Sequence, residues 1–196
     1  MPAEKVVDFG PIGEKLMGMI GAARDAFNRH NRTGLDQIKN LQTALTQEID
    51  ASVKKLNGYI VQAAPADKAK YTALRDLLTR LLQLVETMSD LAAPLQKKMK
   101  DGVLFSEKAV AQTNGLFDSQ AGLLRSILDI IQTNNDYLKK FVREEGLRIQ
   151  QECADFATEH ESRLIEGLCT PQAAPIFLAI LEKFRQMGKQ EAQILP

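Results

Sequence analysis

The residues best placed by type and spacing to do chemistry are two carboxylates, Glu86 and Asp90. They lie four positions apart within residues 74–95, where apolar residues recur every three or four positions and so predict a helix. Residues four apart on a helix share one face, so the two carboxylates lie side by side. Such a pair offers hard oxygen ligands to iron, manganese or magnesium if a neighbouring helix presents further carboxylates at the same level. The spacing is nevertheless unspecific, because 25 acidic residues give two further pairs of this kind, Glu4/Asp8 and Asp155/Glu159, as chance alone would.

Other catalytic arrangements are absent from the sequence pattern. Neither His30 nor His160 belongs to a recognisable nucleophile, base and acid arrangement, and no glycine-rich phosphate loop occurs. Cys153 and Cys169 lie sixteen positions apart, which suits two reduced thiols better than a disulfide framework, and they share no zinc-ligand spacing with either histidine. We therefore predict a protein that is not an enzyme.

Charge and hydropathy limit the partners and the compartment. The 25 basic residues balance the 25 acidic residues, so no overall field would attract nucleic acid. No run of eighteen apolar residues occurs, and the first residues lack the pattern of a signal peptide. A soluble, cytoplasmic protein is expected.

The elements that must position these residues are helices. Apolar residues recur with helical spacing over residues of about 8–30, 33–61, 65–99, 106–132, 136–166 and 171–195, and no strand pattern competes. Thr33 with Asp36 resembles a capping box, Gly167 suits the position after a helix end, and Thr170 before Pro171 suits a helix start. Pro94 is expected to kink the third helix or to end its regular part.

Three lysines, Lys97, Lys98 and Lys100, follow that proline. Cations favour helix C-termini, and this is the favoured interpretation. The alternative is a patch for phosphate or for an anionic membrane surface.

The chain resembles a unit of about one hundred residues written twice. Met88-Ser89-Asp90 precedes Met187-Gly188-Lys189 by 99 positions, and residues 133–136 mirror residues 33–36 with an offset of 100. We predict an all-α fold of two tandem three-helix bundles, 1–101 and 102–196, which together form one unit of six long antiparallel helices with an internal pseudo-twofold. The alternative is a single irregular bundle without internal symmetry.

Two segments and the doubled pattern resemble the PhoU family. The segments are LVETMSDLAAPL, which is similar to the third-helix E(D)xxxD region of that family, and HESRLIEGLCTPQAAPIFLAILEKFRQMGKQ near the C-terminus. The second is similar to the PhoU-like domains of bacterial sodium/phosphate cotransporter tails, through His160, Arg163, Leu164 and Gly167. The resemblance covers nearly the whole chain.

The resemblance implies an all-α cytoplasmic regulator of phosphate transport. Such a protein acts by binding a membrane phosphate transporter, a sodium/phosphate cotransporter or their signalling partners. We further expect a peripheral location at the inner face of the membrane and a homodimer. The alternatives are a helical-bundle adaptor and a carboxylate-bridged metal oxidase or storage bundle. The last is disfavoured, because no Glu-x-x-His occurs in the chain.

The resemblance also implies a degenerate metal site in the first half only. Glu86 and Asp90 match the third-helix ligands, and Asp50 matches a ligand of the second helix, where Thr46 replaces the first acid. Iron or another divalent metal is the implied cofactor. The corresponding positions of the second half are Gly146 and Gln150, then Arg185 and Lys189. We hypothesise that Arg185 and Lys189 form salt bridges with acids of the first half in place of a metal.

Overall fold

The computed structural model describes residues 7–194, and all its regular elements are helices. Their bounds are α1 Phe9–Arg29, α2 Arg32–Gln62, α3 Pro65–Asp90, α4 Ala92–Lys100, α5 Glu107–Thr133, α6 Asp136–Ile165 and α7 Ala174–Ala192. The described residues contain no strand. The all-α prediction with six long helices is confirmed, with one change: the third predicted helix is divided into α3 and α4.

The division between α3 and α4 occurs at Leu91, three residues before the proline expected to cause it. Proline has no N–H, so Pro94 cannot donate the helical hydrogen bond to the Asp90 carbonyl, and its ring crowds that same carbonyl. The chain compensates with a tighter bond from the Leu91 N–H to the Met88 carbonyl, at 3.3 Å, and then resumes the helix. Pro94 itself is buried in the first turn of α4.

Two equivalent turns connect the first and second helices of each half. His30 and Asn134 end α1 and α5 in the left-handed conformation, and Asn31 and Asn135 then cap α2 and α6. Asn31 Oδ1 accepts from the backbone N–H of Gly34 at 3.1 Å. The prediction of a cap at Thr33 is therefore wrong, because the asparagine side chain two residues earlier already satisfies that end of the helix.

The predicted start of the last helix is also wrong. The Thr170 carbonyl accepts from the Ala173 N–H at 3.0 Å in a turn, and α7 begins only at Ala174. Gly167, by contrast, follows the end of α6 with φ of 72°, as predicted for the residue after a helix C-terminus.

The two halves pack side by side along equivalent helices. Helix α1 lies antiparallel to α5, with Arg24 Nη1 donating to Asp118 Oδ1 at 2.6 Å, and α3 lies antiparallel to α7. A pseudo-twofold predicts contacts between α1 and α5 and between α3 and α7, because helices next to such an axis meet their own counterparts. One continuous apolar core contains residues of all seven helices, so the division at residues 101 and 102 stays a prediction.

Glycine permits the closest approach between helices in the second half. A Cβ on Gly146 of α6 would lie 2.5 Å from the Gly188 carbonyl oxygen of α7 and 3.0 Å from the Ala192 Cβ. These distances are shorter than van der Waals contact, so only glycine fits at position 146 without a shift of one helix.

Candidate functional site

The structure places the three predicted metal ligands on exposed helix surfaces. Asp50 lies on α2, and Glu86 and Asp90 lie on α3. The Asp90 carboxylate accepts from Lys183 Nζ of α7 at 2.9 Å. Within residues 7–194, no three histidine, cysteine, aspartate or glutamate side chains group closely enough to hold a metal ion. Asp50 therefore does not join Glu86 and Asp90 in a cluster.

The hypothesis that Arg185 and Lys189 pair with first-half acids is wrong. Arg185 forms its ion pair with Glu182 of its own helix at 2.7 Å, and Lys189 makes no ion pair within the described residues. Lys183 of α7 instead pairs with a first-half acid, Asp90. Two residues along a helix correspond to about 200° of rotation, so Lys183 can face α3 only if Arg185 faces away from it.

A groove of about 740 Å³ opens between the first turns of α2 and the short helix α4. Three cations line it, Arg32 and Lys39 from α2 and Lys100 from α4, together with one acid, Asp36. Other polar side chains at its surface are His30, Gln42, Ser89 and Gln96, and its apolar side chains are Leu35, Ile38, Ala92 and Met99. Charged and neutral polar side chains therefore make up most of the surface of this groove, and apolar side chains make up a smaller part.

A buried lysine supports one end of this groove. Lys98 is 4% exposed, and its Nζ donates to the Phe27 carbonyl oxygen at 2.9 Å and contacts Nε2 of His30. The ammonium also lies 5.0 Å from the ring centroid of Phe27 and 5.5 Å from that of Phe105. Burial lowers the pKa of Lys98 to about 8, because these contacts replace water only in part.

His30 lies between this lysine and the groove. Its φ of 51° is uncommon for a residue other than glycine, although histidine is among the side chains that tolerate it. Burial, and then the positive charge of Lys98, lower the pKa of His30. The neutral ring therefore accepts from Lys98 at Nε2, which assigns the proton to Nδ1.

The second half contains a buried polar cluster where α5 meets the end of α6. His160 is 2% exposed and packs on Phe177, with 4.8 Å between ring centroids, and Arg163 donates from Nη2 to Gln112 Oε1 at 3.3 Å. Within residues 7–194, neither ring nitrogen of His160 has a hydrogen-bond partner, and neither has Nε or Nη1 of Arg163, although Nη1 lies 3.6 Å from Glu159 Oε2 in an ion pair. Burial, and then Arg163, lower the pKa of His160. His160 and Arg163, two of the four residues named for the family resemblance in this segment, are therefore buried inside the bundle.

A buried acid, Glu191, lies near the C-terminal end of α7. Glu191 is 1% exposed and accepts from Gln120 Nε2 of α5 at 2.7 Å. Burial raises its pKa well above the ordinary range of a carboxyl group, and no described cation pairs with it. The raised pKa favours the protonated, neutral form of this carboxyl in the core.

The groove could not be identified from the sequence, because more than fifty residues separate its α2 and α4 cations. One signal was present. Lys98 follows Leu91 and Leu95 at helical spacing, so it occupies a core-facing position in an apolar stripe. The interpretation of the three lysines as ordinary C-terminal cations fits Lys97, which pairs with Asp101 at 2.7 Å, but not Lys98.

Comparison with solved structures gives a match over nearly the whole chain. The crystal structure of PhoU from Pseudomonas aeruginosa superposes with a TM-score of 0.84, covering 94% of this chain and 88% of that chain. This chain has a PhoU-like fold. The sequence identity is 12%, so the similarity shows the fold alone. No protein-family model and no curated protein matches the sequence.

The PhoU-like bundle shows no membrane-spanning element in its described part. None of the helices within residues 7–194 combines the length and the apolar character needed to cross a bilayer.

Proposed function

We infer that this protein is a phosphate-transport-associated regulator that acts by binding rather than by catalysis. The observation that carries this inference is the similarity to PhoU over 94% of the chain, which includes both halves of the bundle. The segment with Glu86 and Asp90, which resembles the E(D)xxxD region of the PhoU family, supports it from the sequence. A membrane phosphate transporter, including one of the sodium/phosphate cotransporter type, is the proposed partner, and the inner face of the membrane is the proposed location.

Binding to purified transporters tests this proposal. Proteoliposomes would carry each phosphate transporter of the organism that encodes the chain, with empty liposomes and an amino-acid permease as controls. Co-sedimentation of the chain with a phosphate transporter alone is expected, and equal recovery from all vesicles would contradict the proposal. Light scattering beforehand would establish whether the free chain is a homodimer.

A helical-bundle adaptor is the second candidate, favoured by aromatic residues exposed at the start of α6. Tyr137 is 88% exposed and Phe141 is 46% exposed, and their spacing of four places them on one face. An adaptor would bind its partner equally at low and high phosphate, whereas a regulator would not. Repeating the sedimentation at two phosphate concentrations distinguishes the two functions.

A further inference from the structure

The groove between α2 and α4 concentrates positive charge in a protein whose formal net charge is zero. Its three cations, Arg32, Lys39 and Lys100, form no ion pair with an acid among the described residues. Among residues 7–194, Asp36 alone contributes an acidic side chain to the groove. Cations gathered on one concave surface repel each other and raise the local concentration of anions.

The buried ammonium of Lys98 adds to this charge from behind the groove. No carboxylate lies within ion-pair distance of its Nζ among the described residues, and its contacts are a carbonyl oxygen, the His30 ring and two aromatic faces. A buried charge without a counterion costs free energy. An anion in the groove would be separated from the Lys98 ammonium by the His30 ring, and its charge would offset part of this cost.

The size and the remaining surface of the groove restrict the anion. A volume of about 740 Å³ is much larger than an inorganic ion requires and lies within the range of small-molecule pockets. Gln96 and the Gln42 amide nitrogen supply neutral hydrogen-bonding groups, while Leu35 and Met99 supply apolar surface. The Ser89 hydroxyl already donates to Gln42 Oε1 at 2.8 Å. Phosphate oxygens suit the cations, and an attached organic group suits the apolar side chains.

We propose that this groove binds a phosphorylated small molecule of about nucleotide size. Arg32, Lys39 and Lys100 contact the phosphate oxygens, and the apolar side chains contact the organic part of the ligand. This inference does not depend on binding to a transporter, because the groove is complete within one chain. A purified-protein assay can therefore fail or succeed independently of the function proposed above.

Isothermal titration calorimetry with ADP, pyrophosphate and inorganic phosphate, each at low and at physiological salt, tests the proposal. The groove variant is Lys39→Gln/Lys100→Gln. The control is Lys54→Gln/Lys55→Gln, which removes the same charge from exposed positions further along α2. We expect the groove variant to weaken ADP binding at least tenfold and the control to change it less than twofold. A Lys39→Arg/Lys100→Arg variant should retain affinity within about threefold, because it keeps the positive charge at both positions.

Three results would overturn the proposal. One is the absence of binding by every probe, and another is equal weakening by the groove variant and the control, which would show unspecific attraction. The third is equal affinity for inorganic phosphate and ADP, since the apolar surface would then contribute nothing and the ligand would be free phosphate.

Discussion

Replacement of Lys98 by methionine should change how the free energy of unfolding depends on pH. Burial lowers the pKa of Lys98 from its usual 10.5 to about 8 in the folded protein. Below pH 8, Lys98 is protonated in both the folded and the unfolded protein. Between pH 8 and 10.5, Lys98 stays protonated in the unfolded chain but loses its proton in the folded chain. Unfolding then takes up a proton, so this group makes the protein more stable as pH rises. The difference in pKa corresponds to about 3 kcal/mol, at about 1.4 kcal/mol per pKa unit.

Urea unfolding of the parent and Lys98→Met at pH 7, 8, 9 and 10.5 measures this effect. The parent should gain about 3 kcal/mol relative to the variant across this range. Comparison with a variant is essential, because burial raises the pKa of Cys153 to about 12, which destabilises the folded state at high pH in both proteins. Lys97→Met, an exposed neighbour on α4, is the matched control. Parallel pH profiles for the parent and Lys98→Met, or a Lys98 ¹⁵Nζ resonance that does not titrate near pH 8, would refute the reasoning.

Three further predictions test the packing, the buried acid and the metal site. Gly146→Ala should destabilise the protein by about 1–3 kcal/mol in thermal unfolding, because its Cβ meets a backbone carbonyl of α7 that cannot rotate away. In the same assay, Gly115→Ala should stabilise the protein by about 0.5–1 kcal/mol, because a Cβ at position 115 lies in open space. Glu191→Gln should gain stability relative to the parent as pH rises above the ordinary carboxyl pKa of 4.5, because the raised pKa favours the protonated carboxyl in the folded state while the unfolded one ionises. Urea midpoints of the two proteins that shift together with pH would contradict this. Inductively coupled plasma mass spectrometry should give equal metal content for the parent and Glu86→Ala/Asp90→Ala. Asp90 already pairs with a lysine, and the described residues provide no group of three metal ligands. Metal present in the parent and lost from the variant would show a working site.

The helices could be predicted because their information is local. Apolar spacing placed six long helices, and Gly167 and Pro94 marked an end and a discontinuity close to the right positions. Cap residues were harder to assign, since Asn31 and Thr33 are both good capping residues and only the backbone path decides between them.

The candidate site was harder to predict because it depends on which face of each helix meets a neighbour. Lys183 and Arg185 differ by two positions, yet one bridges to Asp90 of the first half and the other pairs within α7. The groove likewise requires α2 and α4 to lie side by side, which no spacing in the sequence specifies. Helical periodicity in the sequence could have shown the burial of Lys98, which lies behind the groove.

Phosphate uptake in the organism that encodes the chain tests the central claim most directly. Radiolabelled phosphate uptake would be measured in the wild type, in a strain lacking the gene, and in that strain carrying the gene again, with amino-acid uptake as the control. We expect loss of the protein to change phosphate uptake alone and the restored gene to reverse the change. Unaltered phosphate uptake in the deletion strain, at both low and high phosphate supply, would contradict a role in phosphate transport.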